Sequence, residues 1–409
     1  MTMFVLRSLT IIVFVTLGAR AISPEVQLGE TTLIGRDVTF LEQDFFGGIP
    51  FAEPPLGNLR LQPPVLKMSL DATTFDASNF GSSCLQPGTP IVYVNFNYRL
   101  GPLGFPQGQE AADRKVLNLA LHDQIAALTW VQENIGAFGG DKNKIIESGS
   151  AASALTFDAQ HRQVDWDNFV AGVPGCVEFS ETGNTFNCLQ SVNTTAILSG
   201  LLIAQSEVPE LFPWSPTIDG EGGFMPELPS LRFANGTFAK IPFISGTNLD
   251  EELITEFIIA NYSPPAVPTV SESQLENATA RLLELYPDVP ALGSPFNTGN
   301  DTFGLSPGFK RICALFSHAS EIPFVYGAPP NATASATGLS EMMIDYWVSF
   351  ATSLNPNDGK GIARPTWEQY TPQNQAVIQL NGDNTTMIPD DYRKAGIDFI
   401  NSTPLIFHH

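Results

Sequence analysis

The sequence predicts an α/β protein organised around a mostly parallel central sheet with helices on both faces. Pro90–Leu100 (PIVYVNFNYRL) is β-branched and aromatic with little polar alternation, the composition of a strand buried on both faces. Leu121, Ile125, Leu128, Val131 and Ile135 then recur at three- and four-residue steps, the period of a helix with one apolar face. A short apolar strand candidate, Lys144–Ile146, and a run of small residues, ESGSAASA, follow directly. Strand, helix, strand and small-residue turn in that order describe a parallel βαβ unit.

Each element has its own signal. Residues 1–21 read as a secretory signal: Arg7 is the positive n-region, Leu9–Leu17 an apolar run, and Ala19-Arg20-Ala21 a small-x-small cleavage site. The run is well short of the ~20 residues a membrane span needs. The remainder, 22–409, reads as one domain, because Pro/Gly-rich loops are spread evenly and no repeat or linker-like shift interrupts it. TTLIGRDVTFLEQDFFGGIPFAEPPL, from Thr31, reads as short strands ending in a loop over Gly47–Pro64. Gly101-Pro102 is a turn after the first long strand, and Gly136 a stop signal for the helix. Ile241–Ser245 (IPFIS) is a second buried-strand candidate ending at Gly246. Ser271–Gln274 is a capping box for a helix carrying Leu275, Ala278, Leu282 and Leu285 and stopped by Pro287. Ile322–Gly327 reads as a strand or a buried loop, and Met342–Ala351 as a helix with most faces apolar.

Composition narrows the function. With 20 basic against 42 acidic residues the net charge is −22, which argues against contact with nucleic-acid backbones or anionic lipid headgroups. Charged residues make up 15% of the 409, against about 25% in ordinary soluble domains. Eight N-x-S/T sequons, at Asn193, Asn235, Asn261, Asn277, Asn300, Asn331, Asn384 and Asn401, would let attached glycans supply the missing surface polarity of an exported chain. Cys176 and Cys188 are close enough in sequence to close a short disulfide loop. For Cys84 and Cys313, a mutual bond and two free thiols both stay open. No zinc-ligand spacing occurs, so no zinc site is expected.

Several stretches together resemble the type-B carboxylesterase/lipase family, an α/β-hydrolase group. They are GIPFAEPPLGNLRLQPP (Gly48–Pro64), SCLQ (Ser83–Gln86), VNFNYRLGPLGF (Val94–Phe105), NLALHDQIAALTWVQENIGAFGGD (Asn118–Asp141), IPFISGTNLDEE (Ile241–Glu252), HASEIPFVYG (His318–Gly327) and YWVSFATSLNPN (Tyr346–Asn357), in the family's order. The resemblance implies an α/β-hydrolase-like fold, a carboxylic ester substrate, small or lipid, and no cofactor.

Ester hydrolysis at neutral pH needs an activated hydroxyl, a base for its proton and an acid to orient that base. In α/β-hydrolases these come in the chain order Ser, Asp/Glu, His. The resemblance implies Glu251 as the acid and His318 as the base, with Ala319 where the family's H-G-x-E-x-P pattern has Gly. Without the resemblance Glu251 reads as a solvated loop acid between Asp250 and Glu252; for His318 the alternative is a hydrogen-bonded core histidine, but its position makes it the best base of the five histidines. His408 and His409 end the chain, His122 lies on the polar side of a helix, and His161 in a polar stretch.

The nucleophile departs from the pattern. Where the family has G-E-S-A-G, this chain has Gly149-Ser150-Ala151-Ala152-Ser153. Ungapped, the serine position falls on Ala151, whose methyl group cannot attack. A one-residue deletion puts Ser150 at the turn, flanked two residues away by the small Ser148 and Ala152, as close strand–helix approach requires. Ser148 and Ser153 would instead have Ile146 and Leu155 in those tight positions. The family's Gly-rich oxyanion loop is missing as well: only Pro87, Gly88 and Thr89 separate Gln86 from Pro90. One lost oxyanion donor costs ~3–4 kcal/mol of transition-state stabilisation. The comparison thus implies internal deletions near 86–90 and 155–165 and a sheet missing strands that family members have. Two readings stay open: a secreted Ser150-His318-Glu251 esterase, and an inactive secreted member that serves in binding or adhesion or derives from a degenerate or mis-spliced gene.

Overall fold

The computed structural model describes residues 23–38, 43–78, 91–143, 156–207, 213–247, 270–287, 289, 291, 299–301, 320–330 and 333–407. They fall in two compact units, one drawn from Met1–Ile49 with Ser69–Ser83, the other from Pro50–Met68 with Cys84–His409.

The first unit holds the short strands expected from Thr31 onward. β1 (Glu25–Leu28) and β2 (Thr31–Ile34) form an antiparallel hairpin in which Glu25 faces Ile34 and Leu28 faces Thr31. β3 (Arg36–Val38) pairs antiparallel with β4 (Gln43–Phe45), and β5 (Thr74–Asp76) lies parallel to β2. Leu33, opposite Phe75, is fully buried.

In the second unit, residues 91–100 overturn the strand expectation. They carry no regular secondary structure, no ladder runs along them among the described residues, and Ile91, Val92, Tyr93, Val94, Tyr98 and Leu100 are 37–67% exposed. A strand is made by its neighbours: composition supplies the tendency, and pairing supplies the hydrogen bonds. Residues 241–245 are corrected likewise, with Ile241 and Phe243 68% and 72% exposed and no strand formed.

Helices fare better. α1 (Gly101–Gly104) is a single turn where the sequence suggested only a bend, followed by α2 (Gly108–Asp113). α3 (Leu119–Asn134) is the expected long helix; a 3-10 turn over Ile135–Phe138 extends it to Gly139, three residues past the expected stop. Its inner face differs from the expected stripe. Leu119, Ala120, Asp123, Ala126, Ala127, Trp130 and Val131 are buried, whereas Ile125 is exposed. The helix turns in its small side chains and the carboxylate that meets Arg99, a pairing that periodicity of large residues does not register.

A two-residue strand, β6 (Phe157–Asp158), precedes α4 (Gln163–Ala171), α5 (Phe186–Ser191) and α6 (Thr194–Glu207), and lies parallel to β7 (Thr217–Ile218). Trp166, Phe169, Val170, Val173, Phe186, Leu189 and Ile197 form the main core with Leu117 and Leu119. α4 and α6 approach so closely that a Cβ on Gly200 would lie 2.6 Å from the Phe169 carbonyl oxygen. The Cys176–Cys188 disulfide is present, with Cα atoms 5.7 Å apart.

Beyond α7 (Pro229–Ala234), the expected capped helix is α8 (Glu272–Leu285). The Gln274 N–H donates to Ser271 Oγ, and the Ser271 N–H donates to Gln274 Oε1. Leu275, Ala278 and Leu282 bury against Phe407 and Phe399. α9 (Ile322–Val325) is one helical turn, which corrects the strand-or-loop expectation there; its proline sits in the first turn, where a missing N–H costs nothing. α10 (Ala334–Ser353) contains the expected Met342–Ala351 helix, capped by Thr333. β8 (Ala376–Gln379) and β9 (Thr386–Pro389) form a hairpin, and α11 (Lys394–Ser402) and α12 (Pro404–Phe407) end the described chain. Among the described residues the strands gather in one three-stranded and three two-stranded sheets, parallel at β2–β5 and β6–β7. The Lys144–Ile146 strand expectation lies outside the described residues. No described helix is long and apolar enough to cross a membrane.

Candidate active site and its scaffold

Ser150, Glu251 and His318 all lie outside the described residues, as do the small-residue turn around Ser150, Cys84 and Cys313. What is described is the scaffold that leads into them: α3 before Ser150, β6 after it, residues 241–247 before Glu251, and residues 320–327 after His318.

Arg99 is the central node of that scaffold. Its Nε and Nη2 donate to the two carboxylate oxygens of Asp123 at 2.8 and 2.7 Å, and its backbone N–H donates to Asp123 Oδ2 at 3.0 Å. Its Nη1 donates to the Gln62 carbonyl at 2.7 Å. One guanidinium thus joins the Gly48–Pro64 loop, the Val94–Phe105 stretch and α3. The side chains are only 9% and 8% exposed, and the bidentate fork fixes both position and angle. Sequence periodicity missed this pair. Its signal was a carboxylate on the small-residue face of α3, three residues after Ala120 and four before Ala127.

Asn118, at φ +58°, supplies a second node. Its Nδ2 donates to the Thr217 carbonyl at 2.7 Å and its Oδ1 accepts the Thr217 N–H at 2.8 Å. The side-chain amide imitates a backbone peptide and completes the hydrogen bonding of β7 opposite β6. Asparagine tolerates this left-handed backbone better than most residues.

The disulfide-closed region is held at both ends of α5. The buried Glu110 carboxylate accepts from Thr185 N and Oγ1 at 2.6 and 2.7 Å, at the N-terminus of α5, and Arg114 pairs with the same carboxylate at 2.9 Å. At the other end Arg60 Nη1 donates to the carbonyls of Leu189 and Val192 at 2.7 and 2.6 Å. A carboxylate at the N-terminus and a guanidinium at the C-terminus both match the direction of the helix dipole.

Tyr93, just before the Val94–Phe105 stretch, meets Tyr326 in the stretch that carries His318. Their hydroxyls share a 2.6 Å hydrogen bond and their rings meet edge-on at 5.8 Å. Partial burial of Tyr326, reinforced by this bond and by the charge Tyr93 could develop, pushes the Tyr326 phenol up to about 12. The described histidines are both packed on phenylalanine: His161 stacks on Phe157 at 3.9 Å, and His122 lies 5.7 Å from Phe224. Among the described residues no group of His, Cys, Asp and Glu is arranged to hold a metal ion.

Solved structures define the class first. The chain superposes on Aspergillus niger EstA with a TM-score of 0.70 at 18% identity, covering 95% of this chain and 99% of that one. On a PNB esterase the TM-score is 0.59 at 19% identity, over 91% and 99%. These esterases have the α/β-hydrolase fold. Sequence comparison then gives the family. A model of the Carboxylesterase family matches residues 22–92, 88–146, 142–286 and 301–400, and the chain belongs to that family. It is 29% identical to Secreted lipase 1 of Botryotinia fuckeliana, over 80% of this chain and 69% of that protein. To Lipase 2 of Geotrichum candidum it is 25% identical, over 80% and 70%.

Proposed function

We propose that this chain is an exported carboxylic ester hydrolase that works through an acyl-enzyme. Ser150 Oγ attacks the ester carbonyl, His318 takes its proton and later returns it to the leaving alcohol, and Glu251 orients the imidazole. Water then repeats the sequence to release the acid. The observation that carries this reading is the family match, which covers residues 22–286 and 301–400 in order and includes the stretches bearing all three residues. Relatives named as lipases, three of them as secreted, support an ester substrate and export.

One observation favours a second reading, that of an inactive member. The family match restarts at 88–92 and again at 142–146, and residues 91–100, at the first of these restarts, have no described ladder. A chain shortened there, with Ala151 in the ungapped serine position, would keep the scaffold and lose the chemistry. A fluorophosphonate probe separates the two. The first reading expects stoichiometric labelling of the folded, secreted protein, abolished in Ser150→Ala and strongly slowed in His318→Ala. Folded protein that takes up no label, or labels equally well in Ser150→Ala, defeats it.

A further inference from the structure

The C-terminus of α7, at Asn235, is closed by a pair of hydrogen bonds from the residues that follow it. The Thr237 N–H donates to the Arg232 carbonyl at 2.9 Å and the Gly236 N–H to the Phe233 carbonyl at 3.1 Å, with Gly236 at φ +68°. This is the paired hydrogen-bond pattern of a Schellman cap, in which glycine takes the left-handed position. Arg232 Nη2 reaches back to the Thr237 carbonyl at 2.9 Å and pins the turn from its other side. The cap residue itself, Asn235, is exposed, and among the described residues no hydrogen bond engages its carboxamide.

Two phenylalanines flank that asparagine. Phe233 and Phe238 are 52% and 38% exposed, and their rings meet edge-on at 5.1 Å. The Lys240 ammonium sits 3.4 Å from the Phe238 centroid. Lys240 covers part of Phe238, and the rest of the aromatic pair is open to solvent, where a partner that covers it gains by the burial. The sequence across it is Phe233-Ala234-Asn235-Gly236-Thr237, a glycosylation sequon whose asparagine, turn glycine and hydroxyl residue are all held by the cap.

We propose that Asn235 is a glycosylation site whose first N-acetylglucosamine lies on the Phe233–Phe238 pair. The acceptor is the Asn235 carboxamide, and the donor is a lipid-diphosphate-linked oligosaccharide of the secretory pathway. A bond forms between Asn235 Nδ2 and the anomeric carbon, the anomeric carbon–oxygen bond to the diphosphate breaks, and lipid diphosphate leaves as one amide proton passes to solvent. No electron changes hands. The apolar C–H face of the sugar then covers ring surface that is otherwise wet, so the glycan caps the turn as well as decorating it. Of the other described sequons, Asn193 accepts the Ala196 N–H at the start of α6 and Asn277 lies within α8; Asn401 also follows a phenylalanine, Phe399, but the ring that Phe399 meets edge-on at 5.8 Å, Phe407, is buried.

The proposal rests on export, and its test keeps the two apart. The full chain is expressed with its leader in a eukaryotic host, and purified medium protein is treated with peptide N-glycosidase in heavy-oxygen water. Peptide mass spectrometry should show Asn235 converted to heavy-labelled aspartate, and Thr237→Ala should abolish the label there while leaving other sequons labelled. Phe233→Ala should lower the melting temperature by about 1–3 °C in the glycosylated protein and by clearly less in an Asn235→Gln background. Exported protein labelled at other sequons but bare at Asn235 overturns the proposal alone. Equal Phe233→Ala effects in both backgrounds overturn the sugar–ring contact. Chain retained in the cell without any glycan overturns export and this proposal with it.

Discussion

The helical core around α3–α6 and the apolar segments 91–100 and 241–245 have similar hydrophobic content and opposite fates. Trp166, Phe169 and Val170 are buried, while Val94 and Phe243 are exposed. The difference lies in where each backbone finds its hydrogen bonds. A helix pairs each N–H with a carbonyl four residues back, so its hydrogen bonds need no distant segment even though its stability draws on packing. A strand borrows its partners from distant segments, and loses its identity when they are not beside it. The first restart of the family match, at 88–92, falls at the segment that depends most on such partners.

The largest expected effect tests the node that ties helix to segment. Asp123→Ala leaves the Arg99 guanidinium buried and unpaired, and should destabilise the fold by about 3–5 kcal/mol. Urea unfolding followed by far-UV circular dichroism measures this. A loss under about 1 kcal/mol would mean that Arg99 swings out to water and that the three stretches are not locked together.

A matched pair of valine substitutions is aimed at the contrast itself. Val170→Ala, in the fully buried core, should cost about 2 kcal/mol from lost burial and the cavity left behind. Val94→Ala, in the exposed segment, should cost less than about 0.5 kcal/mol. Equal costs in denaturant would show that residues 91–100 are packed as a central strand in solution, and the contrast between the two regions would fail.

These cases also show what the sequence made legible. The helices could be read because their signals are local: Ser271 and Gln274 cap α8 by contacts three residues apart, and Leu275, Ala278 and Leu282 share one face. The Cys176–Cys188 bond could be read from proximity. The strand at 91–100 was misread because composition reports a preference and not a neighbour. Arg99–Asp123, Glu110–Thr185 and Asn118–Thr217 went unread because each joins residues between 24 and 99 positions apart through side chains common in loops. Of the candidate triad, the family pattern supplied Glu251 and His318 directly, whereas Ser150 needed a steric argument about its neighbours.

The smallest expected effect concerns the contact between the exposed segment and the His318-bearing stretch. Tyr326 holds its proton up to about 12 in the folded protein, while an unfolded tyrosine releases it near pH ~10. Between those values the unfolded chain has lost a proton that the folded chain still binds, so stability falls as pH rises through that window and is unaffected below it. Tyr326→Phe removes this dependence along with the bond to Tyr93. Melting temperatures measured from pH 8 to pH 11.5 should therefore decline less steeply in Tyr326→Phe than in the unsubstituted protein, with a small constant loss near pH 8. The other raised phenols, Tyr286, Tyr346 and Tyr370, contribute equally to both proteins and cancel in the difference. Parallel pH profiles would mean that the Tyr93–Tyr326 hydroxyl bond does not persist in solution, and that residues 91–100 lack even this tie to the stretch that carries His318.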